Sequence, residues 1–249
     1  MEIEKIIQEN QAYLYRYAMY LSAHPDIAKD LVQQTWLQVM KHQDQLVDVT
    51  YLHAYLKKIC INEYRMMMRK EKPMESIEEL EADGIYFHEE EIDGVMEVSV
   101  SKEIENLRNG CFLSMVRKLT LLQRMAFSLS DMFGCTIEET ALLMDISESA
   151  VKGLRYRARM NLSSFFANHC MFMKEENPCH CQAWIDFAQK RLKLQHQLKM
   201  SFSAQEFREK DHSYQKDIHE KLLAYYRQMP VQYPEDSWYT NLIDFVKNK

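Results

Sequence analysis

Apolar residues return along most of this chain at the three-to-four-residue interval of helices buried on one face. Leu14, Tyr17, Ala18 and Leu21 make one such stripe, and Ala28, Leu31, Val32, Thr35, Trp36 and Val39 make another. His24-Pro25-Asp26 separates them, with the proline where a second helix should start, so residues 10–41 predict two helices. A third is predicted from Tyr51 to Met68, with Leu52, Tyr55, Leu56, Ile59 and Cys60 facing inward. Its other face offers His53, Lys57, Lys58, Asn62 and Arg65. From Glu71 to Val100 no period is sustained and acids dominate, which reads as a mobile linker. Helical patterning resumes from Lys102 to Met132 and breaks at Phe133-Gly134.

Thr136-Ile137-Glu138-Glu139 has capping-box spacing, with threonine and glutamate three apart at a helix start. That helix should end near Met144. Asp145-Ile146-Ser147 then makes a turn, and Ser147 is placed to cap a helix reaching Phe166. Ala141 is small where two helices must approach, Ile146 plugs the turn, and Met144, Val151 and Leu154 complete one inward stripe. This is the packing of a DNA-reading helix-turn-helix. The second helix offers Ser149, Lys152, Arg155, Tyr156, Arg157 and Arg159, with Glu148 its only acid through Phe166. Cations at that spacing suit phosphates and guanine edges. The alternative is a solvated basic face.

Composition narrows the class. Five glycines and five prolines in 249 residues are few for a turn-rich β fold, so an all-α chain is expected. No apolar run is long enough to span a bilayer, and the Met1-Glu2-Ile3-Glu4 start lacks a signal peptide's basic flank. A cytoplasmic protein without membrane insertion is expected. The net charge of −6 argues against DNA binding only until it is divided. Residues 11–72 hold nine Lys/Arg against six Asp/Glu, and residues 106–168 hold eight against five. Residues 73–105 hold twelve acids and one lysine, so two basic blocks flank an acidic connector.

Both basic blocks resemble a known family, the extracytoplasmic-function (ECF) sigma factors of bacterial RNA polymerase. Gln123-Arg124, Phe127, Leu129, Gly134, Thr136, Glu139, Ala141, Val151-Lys152 and Arg157-Ala158-Arg159 are similar to the family's region four. The resemblance implies major-groove reading of the promoter's minus-thirty-five element. Asp30-Leu31-Val32-Gln33-Gln34-Thr35-Trp36 resembles the region-two helix that docks on the beta-prime coiled coil of polymerase core. That similarity implies polymerase-binding roles for Asp30, Leu31, Gln33, Gln34 and Trp36. Leu52-His53-Ala54-Tyr55-Leu56-Lys57-Lys58-Ile59 followed by Asn62 resembles the promoter-melting helix, with Tyr55 at a usual tryptophan and His53 at a usual arginine. The preceding loop, residues 44–50, is where the resemblance implies that a flipped base is read. Aromatic faces can replace lost base stacking while cations hold the strand.

The expected organisation is therefore a region-two domain (1–72), an acidic linker (73–105), a region-four helix-turn-helix domain (106–167) and a helical C-terminal extension (168–249). The implied partners are polymerase core and promoter DNA, with an anti-sigma factor as a further candidate. No enzymatic activity is expected. The extension opens with His169, Cys170, Cys179, His180 and Cys181. Three cysteines and a histidine suit tetrahedral zinc, so Cys170, Cys179, Cys181 and His169 are candidate ligands, although no cofactor is required. Thiol redox sensing and buried cysteines pinning the tail are the competing readings. Cys60, Cys111 and Cys135 read as core residues. Amphipathic runs follow at Trp184, Phe187, Ala188 and Leu192, then Leu222, Leu223 and Tyr226, then Trp238, Tyr239, Leu242, Ile243 and Phe245. The first two runs suggest an accessory segment that covers the DNA-binding surfaces or takes a regulator, and the last a terminal helix that packs as core. A stand-alone helix-turn-helix regulator, a metal- or thiol-responsive regulatory protein, a thiol or metal enzyme and a helical adaptor are the other readings. The enzyme reading finds no glycine-rich anion loop and no base with an orienting partner.

Overall fold

The structure, a computed structural model, describes residues 3–42, 51–69, 97–177, 179, 181 and 215–247. Among these the fold is all-α: α1 (Ile3–Ser22), α2 (Pro25–Lys41), α3 (Leu52–Met68), α4 (Glu97–Arg117), α5 (Leu121–Phe127), α6 (Ile137–Met144), α7 (Glu148–His169), α8 (Gln215–Gln228) and α9 (Asp236–Lys247). A π-helical turn, Ser128–Met132, continues α5. The only extended pairing among the described residues is one isolated bridge between Cys170 and Cys179. The loop at residues 44–50, most of the acidic connector and the run from Trp184 to Leu192 lie outside the described residues.

Packing divides the chain differently from the sequence pattern. One compact unit comprises Met1–Lys72, Arg124–Leu154 and Pro230–Lys249; the other comprises Pro73–Gln123 and Arg155–Met229. Helix α6, the turn and the start of α7 thus fold with the region-two helices, α7 from Arg155 on belongs to the other unit, and the C-terminal extension is shared between the units.

In the first unit, α1, α2 and α3 pack around Leu14, Tyr17, Leu21, Leu31, Trp36, Leu56, Cys60 and Tyr64, all buried. Local chemistry starts α2 where the sequence predicts. His24 Nδ1 accepts the Asp26 N–H at 3.2 Å, Pro25 fills the first turn, and Asp26 and Lys41 oppose the helix dipole at its two ends. The buried face of α3 is Leu52, Leu56, Cys60, Ile61 and Tyr64; Tyr55 and Ile59, expected inside, are only half-buried. Helix α9 completes this unit against α1 and α2, with Trp238 and Tyr233 about Tyr15 at ring-centroid distances of 6.0 and 5.9 Å.

The second unit is built on α4, the later turns of α7, and α8. Phe112 stacks on Phe166 at 4.2 Å, and the buried Tyr226 hydroxyl donates to the Phe112 carbonyl at 2.8 Å. Helix α4 starts at Glu97, inside the stretch the sequence assigns to the linker. A break at residues 118–120 then separates α4 from α5, where the sequence predicts one continuous helix.

Candidate nucleic-acid interface

The helix-turn-helix is assembled from short-range bonds. Thr136 Oγ1 accepts the Glu139 N–H at 3.1 Å while Glu139 Oε2 accepts the Thr136 N–H at 2.8 Å, so the capping box forms as its spacing predicts. Helix α6 ends on Asp145 in a left-handed conformation (φ 53°, ψ 46°). The Asp145 and Ile146 N–H groups both donate to the Ala141 carbonyl, and Ser147 Oγ accepts the Ala150 N–H to start α7. Ala141, Met144 and Val151 are buried between the helices. Ile146 and Leu154 are only half-buried, so the turn is plugged less completely than the sequence pattern suggests. Before α6, the Phe133 N–H reaches back to the Ser128 carbonyl, and Gly134 adopts a φ of 86° that suits a residue without Cβ.

On α7, Ser149, Lys152, Tyr156 and Arg157 are exposed, with Arg155 and Arg159 half-buried. Lys152 is tied only loosely to Glu148, at 3.5 Å. On α2 the implied docking residues divide. Asp30 and Gln34 are exposed and Gln33 is half-buried, but Leu31 and Trp36 are fully buried core. Those two act by holding the helix and present no surface to a partner.

The cations of α3 are engaged. Lys58 Nζ lies 2.6 Å from Asp145 Oδ1, 3.2 Å from the Leu143 carbonyl and 3.3 Å from the Leu142 carbonyl. Arg65 donates to Asp145 Oδ2 at 3.4 Å and to the Met144 carbonyl. The Lys58 hydrogen bond is the main cause holding the Asp145 carboxyl below its ordinary value, with the charges of Lys58 and Arg65 adding to it. His53 stacks on Tyr13 at 3.9 Å and shares a 2.8 Å hydrogen bond with Asn10 Oδ1. Lys57 lies over the Phe133 ring at 5.9 Å, while Asn62 is exposed and Tyr55 half-buried. Arg124, from the region-four resemblance, donates to the buried Tyr64 hydroxyl of α3 at 2.7 Å. Asp145 enters the sequence reading only as a turn residue. Its carboxylate's partners sit 80 and 87 positions earlier, so no local signal reveals them.

The cysteine-bearing segment closes α7. Asn177, buried, aims Nδ2 at the Ala167, Cys170 and Phe166 carbonyls at 2.9, 3.1 and 3.3 Å. The Cys179 N–H donates to the His169 carbonyl and the Met171 N–H to the Cys179 carbonyl. His169, a candidate metal ligand in the sequence, stacks on Phe165 at 4.7 Å, with its Nδ1 2.9 Å from the Phe165 carbonyl. Cys170, Cys179 and Cys181, none of them in a disulfide, share one neighbourhood with Cys111, whose thiol burial pushes well up. Among the described residues, no group of three or more His, Cys, Asp or Glu side chains is arranged to hold a metal ion.

Two family models match, in order. Sigma-70 region 2 covers residues 6–73, and Sigma-70, region 4 covers residues 109–162. The chain belongs to the sigma-70 family. Region two followed by this form of region four is the pairing found in ECF sigma factors, so the protein is a sigma factor of transcription initiation. Among solved structures, the sigma factor RpoE from Bartonella quintana, in a co-crystal with the anti-sigma factor NepR, is 24% identical. That match covers 67% of this chain and 97% of that one, with a TM-score of 0.45. No curated protein matches. No described helix of this sigma factor is long and apolar enough to cross a membrane.

Proposed function

We propose that this sigma factor acts in the cytoplasm, docking on the beta-prime coiled coil of polymerase core through Asp30, Gln33 and Gln34 of α2. Helix α7 then reads the minus-thirty-five element with Ser149, Lys152, Arg155, Tyr156, Arg157 and Arg159. Helix α3 holds the opened minus-ten strand with His53, Tyr55, Lys57, Lys58, Asn62 and Arg65. The observation that carries this reading is the cationic face of α7, with Lys152, Tyr156 and Arg157 in solvent beyond a capped turn. Phosphates and base edges in a major groove are the partners that such a face suits. An anti-sigma factor is a fitting regulator of the same surfaces.

The cysteine segment we read as structural, because its backbone bonds and Asn177 close the end of α7. Zinc in the purified protein that disappears on replacing Cys170, Cys179 and Cys181 with serine would overturn that reading. The wider proposal is tested by run-off transcription with purified core and a promoter library. Transcripts should appear from a subset of promoters only when this protein is added. A protein that never associates with core would refute it.

A further inference from the structure

Helix α7 ends at His169, and the chain then turns back so that Cys179 pairs with Cys170 in a parallel bridge. The Cys179 N–H donates to the His169 carbonyl at 3.0 Å, and the Met171 N–H to the Cys179 carbonyl at 3.2 Å. Segments paired in this way run about 4.8 Å apart, with directly opposed side chains on the same side. That spacing lies inside the roughly 4.4–6.8 Å between Cα atoms that a disulfide spans. Asn177 ties down the intervening turn through three carbonyls, so the two cysteines are brought together without any sulfur bond.

The two thiols also differ in the way that a redox pair requires. Cys179 is half-buried and reaches solvent, whereas Cys170 is buried. Burial raises the Cys170 thiol, while the Met173 and Phe172 backbone N–H groups bond its sulfur and oppose that rise. The charges of Cys181 and Cys179 act on it as well, so these sulfurs lie within electrostatic reach of one another. Burial pushes the Cys111 thiol well up, which keeps it protonated and a poor competitor for an oxidant.

We propose that Cys170 and Cys179 form a peroxide-sensitive thiol pair whose disulfide locks the turn that closes α7. This rests on the reading of the segment as the closure of that helix. In a reducing compartment the pair is held as thiols, and oxidant makes the cross-link. The Cys179 thiolate attacks hydrogen peroxide, the O–O bond breaks, and a sulfenic acid and hydroxide result. The Cys170 thiolate then attacks that sulfur; the S–S bond forms, the S–O bond breaks, and the departing hydroxide takes up a proton. Two thiols and one peroxide thus give one disulfide and two waters, with two electrons passed to the peroxide.

The test treats the full-length protein with hydrogen peroxide, blocks remaining thiols with iodoacetamide, and maps tryptic peptides by mass spectrometry without reductant. Lys174 lies between the two cysteines, so cleavage there leaves their peptides joined only through sulfur. The Cys170–Cys179 link should form in the parent and in Cys181→Ser, and dithiothreitol should reverse it. It should be absent from Cys179→Ser, whose fold circular dichroism checks. Amide exchange across residues 171–177 should be at least about tenfold slower in the oxidised protein than in the reduced one. Peroxide treatment that leaves both thiols open to alkylation in the parent would overturn the proposal. So would a link of Cys170 to Cys181 that persists in Cys179→Ser, or equally rapid linkage in the urea-unfolded chain. Exchange in the reduced protein, measured alongside, reports separately on whether the segment closes α7 at all.

Discussion

Asn177→Ala should loosen the end of α7 selectively, by an amount the local bonding sets. The amide nitrogen carries two hydrogens and faces three carbonyls, so two strong bonds are lost at most. Phe166 and Cys170 keep other donors, from the Cys170 N–H and from the Met173 and Lys174 N–H groups. Ala167 has no such substitute. The Met171 N–H, which would close its helical bond, is turned to the Cys179 carbonyl. One orphaned buried carbonyl costs about 1–3 kcal/mol and a second lost bond about 0.5–1.5 kcal/mol, partly offset by freed side-chain entropy. A net loss of about 2–3 kcal/mol corresponds to roughly 30- to 150-fold faster amide exchange in residues 170–179. Exchange in α6, whose caps are untouched, should not change. Asn177→Asp is the decisive control, because it preserves shape and volume but replaces the donor with acceptors. Parental protection in Asn177→Asp would refute the donor argument, as would a loss under threefold in Asn177→Ala.

Further outcomes can be checked directly. Thr136→Ala removes half the capping box and should cost about 1 kcal/mol in urea unfolding, with Thr136→Ser restoring most of it. Arg155→Ala should weaken promoter binding by about 1–3 kcal/mol at fixed salt; unchanged affinity would remove it from the recognition face. Replacing Asp30 and Gln33 together with alanine should reduce co-purification with polymerase core while leaving the helical circular dichroism intact. The Cys60 thiol is pushed from 9.0 up to about 12, chiefly by burial, so the folded state holds its proton more tightly than the unfolded chain. Its contribution to stability is therefore complete below pH 9 and falls as pH rises from there towards 12. Native-state alkylation of Cys60 near pH 8, followed by mass spectrometry, should be far slower than in denaturant; equal rates would refute its burial.

What was legible in the sequence was chiefly what local geometry decides. Thr136 and Glu139 lie three residues apart and bond to each other's backbone, so the capping box could be read from spacing alone. Pro25 and Ser147 start their helices where the pattern put them. On α2, the hydrophobic period had already placed Leu31 and Trp36 in the inward stripe, and they are core. The family resemblance, carried over residue by residue, assigned the same two side chains to a partner; periodicity was the better guide because burial follows the face of the helix. Acidic composition hid the start of α4, since the sequence about Glu97 looks like more linker. The π-helical turn depends on a bond between Phe133 and Ser128, a five-residue reach that no residue type announces.

The engaged state of Lys58 and Arg65 shows why a basic residue count is an incomplete guide to DNA binding. Counted along the sequence, α3 and its surroundings present a cationic block that is open to phosphate. In the fold, Lys58 and Arg65 already face the Asp145 carboxylate and the carbonyls that end α6. Counting lysines and arginines along α3 therefore overstates the charge that the folded chain leaves unmatched, because Lys58 and Arg65 each meet the Asp145 carboxylate.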